Sequence, residues 1–126
     1  MAVIASHFIL YVTDQNESTA FYTRVLGREP RLFVPGMTEY ELGDACILGL
    51  MPVAGIRRLL GPNVPEPSTA AEVYLIVSDA AAYHARALAA GATELSPLQE
   101  RDWGHRAAYS RDRDGHVLAF AEPVAR

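Results

Sequence analysis

The chain has 126 residues, half of them apolar and 21% charged, with a formal net charge of −4. A chain of this length makes one domain and buries roughly two-thirds of its unfolded surface without staples. Lysine is absent and there is no basic footprint, which argues against a nucleic-acid partner. Cys46 is the only cysteine, which excludes an internal disulfide and fits a reducing, cytoplasmic setting. The opening Met-Ala-Val-Ile-Ala-Ser lacks a basic region and is not expected to be a signal peptide, and no apolar run reaches membrane-spanning length.

Residues 3–12 are rich in Val, Ile, Phe and Tyr and read as a strand closed by Thr13-Asp14. Asp14 and Glu17 form a capping-box-like pair ahead of a helix whose Ala20, Phe21, Val25 and Leu26 share a face. Gly27 stops that helix where a positive φ is tolerated. Strands are expected at 30–34, 37–42 and 45–51, divided by Pro35-Gly36 and Gly43-Asp44 turns. The proline-rich stretch 52–70 reads as a linker with one helical turn near Ile56–Leu60. A second strand follows over Glu72–Val77, then an Ala-rich helix from Ala80 to Ala90 stopped by Gly91. Strands near 93–99, 105–110 and 116–122 complete the chain, the last two joined by an Asp112-Arg113-Asp114-Gly115 hairpin turn.

The chain therefore says the same thing twice. His-Phe-Ile-Leu-Tyr-Val-Thr-Asp leads to a helix and Gly27, and Val-Tyr-Leu-Ile-Val-Ser-Asp leads to a helix and Gly91. A duplicated unit usually packs against its twin, so the expected fold is α+β: two βαβββ modules forming a cupped mixed sheet with a central cleft and helices on the outer face. As one domain over 1–126, module 1 spans about 1–51, the linker 52–70 and module 2 about 71–126.

On these residues the chain resembles the vicinal oxygen chelate superfamily, which holds glyoxalase I, extradiol dioxygenases and bleomycin-resistance proteins. The first-module pattern is carried by Ser18, Phe21-Tyr22 and Leu26-Gly27. The second is carried by Ala90-Gly91-Ala92, Trp103-Gly104-His105-Arg106 and Asp112-Arg113-Asp114-Gly115-His116. The resemblance implies four metal ligands, two per module. His7 matches the first ligand position, but Gly49, Val73 and Ala119 stand at the other three, so no cofactor is expected and a divalent metal is the less favoured outcome. Strand alternation is expected to turn Glu72 and Glu122 away from the cleft, so that neither substitutes.

If His7 faces the cleft, alternation also brings Ile9 and Tyr11 there, with Ile47, Gly49 and Met51 from the first module. From the second module it brings Val73, Leu75, Val77, Val117, Ala119 and Ala121. Such a lining suits an apolar ligand or is simply packed core. Trp103 is a candidate for stacking on a planar ligand or is a structural Trp at a strand start, and Arg106 either receives a ligand carboxylate or is an exposed edge residue. Arg57-Arg58 is either a basic lid or a solvated turn.

The candidate ligand-binding residues are thus His7, Tyr11, Gly49, Met51, Trp103, Arg106 and Ala119, with His7 the catalytic residue if there is one. The function expected from the resemblance is that of a homodimeric binder of a small apolar or aromatic molecule, of the resistance or sequestration type. The alternatives are an enzyme of the glyoxalase or dioxygenase kind, metal-dependent through a relocated site or metal-free with His7 as base, and a ligand-free structural or regulatory dimer.

Overall fold

The structure, a computed structural model, describes residues 2–64 and 71–124. These form two compact units, each a four-stranded mixed sheet with a helix between its first and second strands. The part of the expected linker over 65–70 lies outside the described residues.

In the first unit β1 (Ser6–Val12) leads into α1 (Gln15–Leu26), then β2 (Leu32–Val34), β3 (Met37–Glu41) and β4 (Cys46–Pro52). The strand order is β1-β4-β3-β2, with β1 parallel to β4 and the rest antiparallel. β1 begins at Ser6 rather than at residue 3 because β4 begins at Cys46, and Ser6 and Cys46 are the first paired residues. The Asp14 carboxylate accepts from the Glu17 amide at 3.0 Å, satisfying one of the free donors of the first turn. Gly27 closes the helix at φ 68°, a conformation that its missing Cβ makes inexpensive.

α1 lies against the sheet face that carries Thr38, Tyr40, Leu48 and Leu50, all fully or nearly fully buried. Much of that docking is polar. Thr38 Oγ1 meets Thr19 Oγ1 at 2.8 Å and receives Gln15 Nε2 at 3.0 Å. The Tyr40 hydroxyl donates to the Thr19 carbonyl at 2.9 Å and meets Thr23 Oγ1 at the same distance. Gln15 also donates to the Val34 carbonyl and accepts from the Gly36 amide, which ties the β2–β3 turn to the helix start. Buried hydroxyls are stable here because each one finds a partner.

After β4 the chain enters α2 (Val53–Leu60) and a short 3-10 turn over Gly61–Asn63. The sequence predicts a linker with a single helical turn here. A full eight-residue helix forms instead, with Ile56 as its buried anchor and Arg57 and Arg58 exposed.

The second unit repeats the plan with β5 (Glu72–Ile76), α3 (Ala80–Ala89), β6 (Thr93–Glu100), β7 (His105–Arg111) and β8 (Val117–Pro123), in the order β5-β8-β7-β6. Asp79 caps α3 through the Ala82 amide at 3.1 Å. α3 buries Ala80, His84 and Ala87, and its Tyr83 ring lies 5.6 Å from that of Phe120. The β7–β8 turn is organised by the buried Asp112, whose Oδ1 accepts from the Asp114 and His116 amides, while Gly115 takes the positive φ that the turn needs.

Candidate functional site

Side chains of directly paired residues share a face of a sheet. In the first unit Ile9 pairs with Gly49 and Gly49 with Glu39, and Tyr11 pairs with Met51. His7, Ile9, Tyr11, Ile47, Gly49 and Met51 therefore stand together on the face turned away from α1. This is the grouping that strand alternation gave for the first module.

Gly49 is not an empty ligand position. A Cβ there would lie 3.1 Å from Ile9 Cγ1 and 3.4 Å from Met37 Sδ, so these two side chains already close the space. Gly49→Ala is expected to cost about 1 kcal/mol by crowding Ile9 Cγ1, and in an Ile9→Ala background, where that atom is gone, to cost much less. Chemical denaturation of the two single variants and the double variant checks this.

The same face carries a polar group that the sequence reading missed. Glu39 is only 15% exposed, and its Oε1 takes two bonds from Arg31, Nε at 3.0 Å and Nη2 at 2.8 Å. Its Oε2 lies 3.7 Å from His7 Nδ1, and the His7 side chain is 42% exposed. The carboxylate beside the His7 imidazole, just beyond hydrogen-bond length, thus comes from β3. Only the strand pairing brings Glu39 beside His7, and one sequence without its pairing table contains no such signal.

In the second unit the expected lining needs correction. Tyr74 pairs with Ala119 and Ala119 with Tyr109, so Glu72, Tyr74, Tyr109 and Ala119 share the face turned away from α3. Val73 and Leu75 pair with the buried Leu118 and Phe120 and face the helix, as Val77 does by the same alternation. Glu72, not Val73, therefore shares the Ala119 face. The signal was present: His7 precedes Asp14 by seven residues, and seven before Asp79 is Glu72. Val73 is one residue further on, and one residue flips a strand. Glu122 does point the other way, as expected: its carboxylate accepts the Ala80 amide at 3.1 Å at the start of α3.

Arg106 is likewise on the helix side. It pairs with Glu122 across β7 and β8, with Nη1 3.1 Å from Oε1, and Nη2 lies 3.9 Å from Glu100. Its guanidinium meets acidic side chains of its own unit, on the face opposite to Ala119.

Trp103 lies in the loop between β6 and β7, half exposed at 52%, yet it is fixed. Its indole Nε1 donates to the Tyr74 hydroxyl at 3.0 Å, and the same hydroxyl is 2.7 Å from His105 Nδ1. The Tyr74 and His105 rings stack with centroids 5.8 Å apart. Nearby, the Arg101 guanidinium lies 5.3 Å from the centre of the Tyr109 ring, while its Nε and Nη2 bond the Ala107 carbonyl, and Nη2 also the Pro97 carbonyl and Ser96 Oγ. Burial raises the Tyr109 phenol above its ordinary value, with Glu72 and Tyr74 adding to the effect and Arg101 opposing it.

A catalytic divalent ion needs about three protein ligands. Among the described residues no three His, Cys, Asp or Glu side chains are gathered to hold one. Arg31 already engages the Glu39 carboxylate beside His7.

The Glyoxalase/Bleomycin resistance protein/Dioxygenase superfamily model matches residues 4–120, and the chain belongs to that superfamily. Among solved structures it is similar to a glyoxalase-related enzyme from Fulvimarina pelagi, at 23% identity and a TM-score of 0.85, over 97% of this chain and 88% of that one. A glyoxalase/bleomycin resistance protein/dioxygenase from Nocardioides shares 26% identity at a TM-score of 0.74, over 98% and 85% of the two chains. TioX from Micromonospora sp. ML1 shares 25% identity at a TM-score of 0.68, over 95% and 98%. No curated protein matches the chain. Among the described residues no helix is long and apolar enough to cross a membrane.

Proposed function

We propose that this member of the superfamily binds a small apolar or aromatic molecule without a bound metal, in the manner of a sequestering protein, and works as a homodimer in the cytoplasm. The observation that carries the reading is the pinned indole. An exposed Trp normally samples several rotamers, whereas the bond from Trp103 Nε1 to Tyr74 holds this ring in one place. A ring fixed before its ligand arrives loses less freedom on binding, and stacking adds about 0.5–1.5 kcal/mol beyond area burial. Trp103 is the sole Trp, so its fluorescence reports one place. Planar aromatic compounds are expected to quench it saturably, and Tyr74→Phe, which frees the indole, to weaken the response several-fold with little change in melting temperature. No saturable quenching across a diverse aromatic panel would end this reading.

One observation favours a second reading, a metal-free enzyme with His7 as base. The Arg31-clamped Glu39 faces His7 Nδ1 and leaves Nε2 free of protein partners among the described residues. Turnover that disappears in His7→Ala and returns with added imidazole is the result expected of it.

A further inference from the structure

The hydrogen bonds around Tyr74 have a direction, and that direction selects the ligand. Indole N–H is a donor only, so the Tyr74 oxygen accepts from Trp103. The phenol proton then has His105 Nδ1 as its acceptor, 2.7 Å away. That length is typical of a hydroxyl donor and shorter than the usual 2.9–3.0 Å of a ring N–H donor. His105 Nδ1 is thereby an acceptor, and a neutral ring with an acceptor at Nδ1 carries its hydrogen at Nε2. Among the described residues Nε2 takes no partner. The polar group offered beside the Trp103 platform is therefore a donor, while the Tyr74 hydroxyl has spent its proton inside the protein.

We propose that His105 is a specificity-determining residue whose Nε2–H selects planar aromatic ligands bearing a carbonyl or quinone oxygen at the ring edge. This rests on the stacking role proposed for Trp103. It goes beyond that role in naming the chemistry of the ligand: an acceptor-edged ring is preferred over the same ring without the acceptor. Three rings linked by two hydrogen bonds hold the donor in place, so its selection is built in before the ligand arrives.

A matched pair of probes tests it: anthraquinone-2-sulfonate and anthracene-2-sulfonate share skeleton and charge and differ in two carbonyls. Trp103 fluorescence titration of the full chain is expected to show the quinone binding about tenfold tighter, the worth of one well-placed hydrogen bond against an unmet donor. His105→Phe keeps a ring in place and is expected to bring the two affinities together. In the unsubstituted protein, the imidazole Cε1 and Cδ2 NMR signals of His105 are expected to move with the quinone and not with the anthracene. Equal affinities in the unsubstituted protein, or a preference that survives His105→Phe, overturn the selection by His105 and leave the stacking role intact. Failure of both probes to quench Trp103 overturns the stacking role as well.

Discussion

Phe120→Ala is expected to cost about 3–5 kcal/mol, a large share of the stability of a small domain. Phe120 is 1% exposed on the β8 face that meets α3, where its ring packs on Tyr83. Its neighbour Ala119 points the other way, toward Tyr74 and Tyr109. Removing the ring leaves a void under α3 that the small Ala80 and Ala87 cannot fill. Urea denaturation followed by far-ultraviolet circular dichroism measures the loss. A cost below 1 kcal/mol would mean that the face assignment of β8, and with it the placement of Ala119, is reversed. Tyr74→Phe serves as the contrast, since it removes only a partly exposed hydroxyl.

Tyr40→Phe is expected to lose about 1–3 kcal/mol by leaving the Thr19 carbonyl and the Thr23 hydroxyl without their buried partner. It should also change how stability responds to alkali. Burial pushes the Tyr40 phenol above its ordinary value of 10.0, Glu29 adds to the rise, and the Thr23 hydrogen bond opposes it. In the unfolded chain the phenol loses its proton near its ordinary value, while in the folded chain it holds on to higher pH. The native state then binds more protons, so this contribution is full below about pH 10 and is lost as pH rises toward the folded value. Tyr109 shifts in the same direction and adds a parallel loss. Melting temperature followed from neutral to alkaline pH should fall less steeply in Tyr40→Phe than in the parent. Identical slopes would show that Tyr40 ionises freely in the folded protein.

The fold was legible because its signals are local. The Asp14 and Asp79 caps, the Gly27 stop and the Asp112–Gly115 turn each depend on a few adjacent residues, and each took the conformation that its chemistry dictates. α2 was less legible, since Pro52 and Pro62 bracket it and mask a helix that Ile56 anchors. The candidate site was only half legible. The β1 and β4 residues fell on the expected face, because one residue placed correctly fixes a whole strand. In β5 a one-residue change of register reverses every side chain, so Tyr74 occupies the face expected of Val73. Glu39, Arg31 and His105 carry chemistry only through partners brought by pairing, as Glu39 meets His7 and His105 meets Tyr74. Arg106 misled for the converse reason: its acidic partners, Glu100 and Glu122, lie on neighbouring strands.

The parallel pairing of β1 with β4 has a consequence in time. Ser6 pairs with Cys46 and Glu72 with Val117, while β2, β3 and β4 join through short turns, as β6, β7 and β8 do. Closing a long loop carries an entropic cost that a tight hairpin avoids, so the three-stranded meander of each unit is expected to assemble before the first strand docks onto it. On the ribosome the order of synthesis runs the other way. Each unit's opening strand is made first and paired last, and β1 waits with Phe8 and Ile9, still 63% and 43% exposed once folded, unsheltered by its own sheet. The interval between making β1 and completing β4 is thus when this chain is most open to capture by chaperones or by another nascent copy of itself.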